Sequence, residues 1–174
     1  MLKSREDAYE LLKVLGASDR LFRHAQLVGH AADLLLVELQ AIGVKCDAGS
    51  VELGAVLHDA GKINHPKEFS EPGSQHEEAG QVLLLAHGVQ PEAARCCVSH
   101  GAWNFPDVTL EERIVALADK LWKGKREAEL ELSLIDEVAL RLGVSRWDVF
   151  ERLDTKFEQI AADGAERVQG SRSD

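Results

Sequence analysis

Cysteine, long apolar runs and an excess of positive charge are all scarce in this chain. Only 3 of its 174 residues are cysteines, two of them adjacent at Cys96 and Cys97. Such a set is a poor disulfide framework and fits a reducing cytoplasm. The longest strictly apolar runs are Val82–Ala86 and Ile114–Ala118, far short of the roughly 20 residues a membrane span needs. Residues 1–7 run straight into acidic side chains without the apolar segment of a secretory leader. Basic residues number 20 against 30 acidic ones, a net charge of −10. A chain so charged lacks the basic surface that coats extended nucleic acid. These absences exclude a secreted, membrane-spanning or DNA-coating protein. They leave a cytoplasmic enzyme or a binding domain.

What is present suits one ordinary globular domain. Apolar residues make up 45% and charged residues 29%, and the length is enough to bury a full core. The periodicity is helical nearly throughout. Leu21, Ala25, Val28, Ala32, Leu35, Leu39 and Ile42 recur in steps of four and three, one stripe of a long helix between an N-cap at Ser18 and a stop at Gly43. A second helix starts near Asp47 and ends around His58. Residues 63–73 carry Pro66, Pro72 and Gly73 and read as a surface loop. Ser74 to Glu77 and Thr109 to Glu112 both have the spacing of a capping box. Further helices fit 133–142 and 145–162, with 163–174 a frayed tail. The expectation is an all-α domain of roughly seven to eight helices over residues 1–162.

Seven histidines occur, and one stands directly before an aspartate, His58-Asp59, at a predicted helix end. Neighbouring side chains on a helix diverge by about 100°, so both reach one ion only if it lies in the wedge between them. Imidazole and carboxylate suit divalent Zn, Fe or Mn, but two ligands do not make a tight site. A histidine on its own, such as His24, more often satisfies a hydrogen bond at the edge of a core. Cys96, Cys97, Trp122 and Trp147 read as packing. Trp103 fits either the core edge or a stacking surface.

Taken in order, His24, His58-Asp59 and Asp119 resemble the ligand pattern of the HD-domain metal-dependent hydrolases. His76 and His100 stand where the two-metal branch of that superfamily adds two histidines. The resemblance covers roughly residues 20–126, and its nearest form is that of small bacterial HD hydrolases similar to diadenosine-tetraphosphate hydrolases. The Gly-Tyr-Pro signature of cyclic-dinucleotide phosphodiesterases is absent. The resemblance implies an all-α HD bundle holding two divalent metal ions, Fe or Mn favoured and Zn, Co or Ni also accepted by such donors. Asp59 would bridge the ions, His24, His58 and Asp119 would complete one site, and His76 with His100 would hold the other. It further implies a phosphohydrolase that uses a metal-bridging hydroxide on a small phosphate ester or anhydride, a nucleotide favoured. Lys62, also a catalytic candidate, would clamp phosphate.

Lys123 and Arg126 are further candidate phosphate contacts, since a helix continuing past Asp119 puts them on its face. A break at Gly124 would remove Arg126. The same six ligands also resemble mixed-valent di-iron oxygenases, and a non-catalytic nucleotide-binding regulatory module is the third class. No membrane or extended nucleic-acid partner is expected, and the sequence sets no oligomeric state.

Overall fold

A computed structural model of the chain describes residues 1–172. Its elements are α1 (Arg5–Val14), α2 (Asp19–Ala41), α3 (Ala48–Leu57), two short 3-10 turns (Ala60–Ile63 and Pro66–Phe69), α4 (Gln75–Ala86), α5 (Pro91–Ser99), α6 (Leu110–Leu121), α7 (Ala128–Leu142), α8 (Arg146–Ala161) and α9 (Gly164–Arg172). No strand occurs among the described residues, so the all-α expectation holds. None of the helices is long and apolar enough to cross a membrane.

Capping chemistry explains most of the boundaries. Ser18, Asp47 and Ser145 each accept a backbone N–H at the start of their helix. Thr109 forms a full capping box with Glu112, satisfying two donors that a helix start otherwise leaves open. The expected box at Ser74 does not form, because its side chain makes no cap bond. The carboxylate of Glu68 takes that place, accepting from the backbone N–H groups of Gln75 and His76 at 3.1 Å each. The helix expected from residue 133 begins earlier, at Ala128.

Two apolar clusters make the core. The larger joins α2, α6, α7 and α8 through Leu35, Leu39, Ile114, Leu117, Leu134 and Phe157. The smaller joins α1, α3, α4 and α5 through Leu12, Leu57, Leu84 and Cys97. Helix α3 is apolar nearly all round and buried through its second half, while the amphipathic α6 leaves only Glu111, Arg113 and Lys120 partly exposed. Trp147 departs from the packing expectation: it is 71% exposed.

The C-terminal segment is also corrected. Residues 164–172 are helical instead of frayed, and only 173–174 of the expected tail lie outside the described residues. The cause is Arg167, whose guanidinium donates to the carbonyls of Trp122 (2.6 Å), Leu121 (3.3 Å) and Ile160. These are carbonyls at helix ends, which lack intrahelical partners. Gly164 lies on the backbone of Gly124, where an added Cβ would sit 2.0 Å from the Gly124 nitrogen.

One close approach positions the polar centre described below. A Cβ on Gly61 would fall 1.9 Å from the His76 carbonyl oxygen, and one on Gly80 would fall 2.8 Å from the Gly61 nitrogen. With no side chain at either position, the turn after Asp59 lies directly on α4. Gly61→Ala is expected to destabilise the fold by about 3 kcal/mol, the upper range for overpacking, read as a shifted urea midpoint. Wild-type stability in that variant would mean that the turn stands clear of α4.

Candidate metal centre

Five elements each deliver a polar side chain to one buried point. His24 lies on α2, with its Nε2 turned inward. His58 caps the C-terminus of α3 and Asp59 follows it, His76 is in the first turn of α4, His100 caps the C-terminus of α5, and Asp119 lies near the end of α6. The C-terminal ends of three helices thus converge, and their partial negative charge favours a cation.

The donor atoms form two triads. His24, His58 and Asp119 bring one atom each within 4.8 Å of one another, and Asp59, His76 and His100 do the same. Asp59 spans the two: its Oδ2 lies 3.0 Å from His24 Nε2, and its Oδ1 lies 3.2 Å from His76 Nε2 and 3.7 Å from His100 Nε2. All six side chains are buried or nearly so, His24 being the most exposed at 12%.

Backbone and side-chain partners aim three of the histidines. His58 Nδ1 is bonded to the Ala55 carbonyl (2.9 Å), His100 Nδ1 to the Cys96 carbonyl (3.1 Å), and His76 Nδ1 to the Glu68 carboxylate (2.5 Å). Carbonyls and carboxylates accept, so Nδ1 donates and the Nε2 lone pair faces the centre in the neutral ring. Partners of this kind orient metal-ligating imidazoles. His76 Nε2 and Asp59 Oδ1 are buried and lack a hydrogen-bond partner, although they face each other. Two lone pairs so placed are costly unless a cation lies between them. His24 Nε2 and His58 Nε2 lie 3.1 Å apart, a contact in which only one ring can donate.

Four of the six side chains hold the protonation state that a metal requires. Burial pushes His24 below its ordinary value and takes His100 down to about 4, so both are neutral near pH 7. Burial opposes ionisation of Asp59 and Asp119, but the surrounding histidines, with Lys123 beside Asp119, outweigh it and hold both well below the usual carboxylate range. Burial also works against a charged His76, yet the neighbouring carboxylates of Asp59 and Glu68 raise it overall, toward the charged form. Neutral imidazoles and ionised carboxylates are the forms that bind a metal.

Lys62 Nζ sits 2.6 Å from Asp59 Oδ2, and Lys123 Nζ 3.0 Å from Asp119 Oδ2. Both flank the centre. Arg126 does not: α6 stops at Leu121, Gly124 turns the chain with φ +77°, and the guanidinium is committed to Glu131 (2.7 Å) and Asp154 (2.5 Å). Its expected place at the substrate is therefore withdrawn. Cys96 and Cys97 are buried in the core, where burial pushes the Cys96 thiol up to about 12. Sequence reasoning missed Glu68. It lies in a segment read only as loop, eight residues before His76, and no helical spacing links the two. Glu77, read as a capping residue, lies instead against Gly101, and burial raises its carboxyl above the ordinary range.

Comparison with known proteins bears on the same residues. The chain is 29% identical over 153 residues to an uncharacterised protein of Methanocaldococcus jannaschii, which covers 79% of this chain and 86% of that protein. It is 27% identical over 146 residues to a tRNA (cytidine(56)-2'-O)-methyltransferase of Thermoplasma volcanium, covering 75% of this chain and 40% of the methyltransferase. No solved structure gives a significant match. The model of the HD domain family matches residues 21–122, the span from before His24 to just past Asp119. The ordered histidines and aspartates and the family match over most of the folded chain agree: this protein belongs to the HD domain family.

Proposed function

We propose that the chain is a metal-dependent phosphohydrolase that cleaves a phosphate ester or anhydride of a small substrate, a nucleotide being the favoured class. The observation that carries this reading is Asp59, whose two buried oxygens face two separate histidine sets, with Oδ1 and His76 Nε2 left without hydrogen bonds. His24, His58 and Asp119 would hold one divalent ion, His76 and His100 a second, and Asp59 would serve both. When bound, such a pair supplies Lewis acidity and lowers the pKa of coordinated water. Fe and Mn suit this donor set best.

The chain's own residues supply the rest. Burial keeps His24 and His100 neutral and limits bulk water at the centre. Glu68 fixes the His76 ring so that Nε2 points inward. Lys62 and Lys123 hold positive charge at the rim, where phosphate oxygens gain charge during cleavage. An excess of 10 negative charges favours a small substrate taken into this local positive site over a long polyanion lying across the surface.

Protein purified without chelator or histidine tag should carry about two first-row ions per chain by mass spectrometry, the number a bridged pair requires. His58→Ala and Asp59→Ala should lose metal-dependent phosphate release from a nucleotide panel. Activity retained by either variant in a clean preparation would refute the reading. Glu68→Gln should weaken the ion at His76 and His100 about 10- to 100-fold, so that metal content falls toward one ion while the unfolding midpoint stays close to wild type. Unchanged metal content would reduce Glu68 to a helix cap. Lys62→Met should lower kcat about 100-fold with full metal content, and an unchanged kcat would place Lys62 outside the reaction.

A further inference from the structure

Arg20 lies one helical turn before His24 on α2, the spacing that places two side chains on the same face. With His24, Lys62, Lys123, Phe69 and Trp122 it lines a cavity of about 170 Å³ beside the candidate metal centre. The three cations there are not equivalent. Lys62 and Lys123 are each paired with a buried carboxylate. Arg20 has no carboxylate partner among the described residues and donates only to the Phe69 carbonyl (2.8 Å) and Ser70 Oγ (3.3 Å). The guanidinium lies 5.0 Å from the centre of the Phe69 ring, and Lys62 Nζ lies 5.2 Å from the same centre. One aromatic side chain therefore holds both cations at the cavity.

We infer that Arg20 binds a second phosphoryl group of the substrate, next to the one cleaved, so that the site selects a diphosphate over a monophosphate. The inference rests on the hydrolase reading, which assigns the reacting phosphoryl group to the histidine–aspartate centre. A planar guanidinium offers paired donors that match phosphate oxygens. Two of the donors are spent on Phe69 and Ser70, which sets the orientation of the fork. Its charge is left uncompensated in a cavity that already contains Lys62 and Lys123. Trp122, buried and in edge-to-face contact with His24 at 5.2 Å between centroids, forms an apolar wall with Phe69 and Val168, and an anion entering here meets the three cations together with Ser171 and that wall.

The test is calorimetric titration of the metal-loaded 174-residue chain with methylphosphonate and with methylenediphosphonate. Wild type is compared with Arg20→Gln and Arg20→Lys. Chelation of free ion by the diphosphonate is common to the three proteins and cancels between them. Arg20→Gln should bind methylenediphosphonate about 10- to 100-fold more weakly, the loss of charge-assisted hydrogen bonds, with methylphosphonate affinity unchanged. Arg20→Lys should fall between, since it keeps the charge and loses the fork. Unfolding midpoints equal to wild type establish that the variants fold. An equal loss for both ligands would overturn the inference and make Arg20 a tie for the Phe69 segment. No loss for either would also overturn it. Both results leave the hydrolase reading standing so long as wild type binds the two phosphonates. A wild type that binds neither refutes that reading and this inference together.

Discussion

Two ionised carboxylates held away from water among imidazoles are the constraint on which the rest of this structure depends. Asp59 and Asp119 are 2% and 5% exposed, and a buried charge is tolerated only when it is paired or coordinated. Each is met by histidines on one side and by a lysine, Lys62 or Lys123, on the other. Assembling that set requires α2, α3, α4, α5 and α6 to arrive together. The two apolar clusters flank the point where they meet, and both supply the burial that holds it closed.

The second 3-10 turn, Pro66–Phe69, shows how this constraint spreads. Glu68 caps α4 through two backbone N–H groups and orients His76 with the same carboxylate. The next residue, Phe69, carries Arg20 and Lys62 on its ring. A single short turn thereby joins a helix start, a candidate ligand histidine and the cations of the rim. Connecting segments commonly carry function on a rigid scaffold, and here the segment is tied to the scaffold at Glu68 and Phe69.

The helical stripes and most caps were legible in the sequence because they follow from short-range spacing: Ser18, Asp47, Thr109 and Ser145 all cap where their neighbours predicted. The six candidate ligands were legible as an ordered pattern, and the structure brings all six together. What escaped were interactions that spacing does not encode. The Ser74 box lost to a carboxylate six residues upstream. Arg126 was drawn off by Glu131 and Asp154 once Gly124 ended the helix. Trp147 reads as core by composition yet stands in solvent. In each case the choice between partners was made by tertiary neighbours, which one-dimensional periodicity does not rank.

Arg167 has a consequence for the order in which the protein is built. It satisfies the Trp122 carbonyl from 45 residues further along the chain. The helix bearing Asp119 is thus sealed by a segment synthesised well after every candidate ligand has been made. During translation the centre's side chains are all present while the end of α6 still offers open carbonyls to water. The segment that defines the family, residues 21–122, finishes on those carbonyls, so its last turn is completed by a part of the chain outside it.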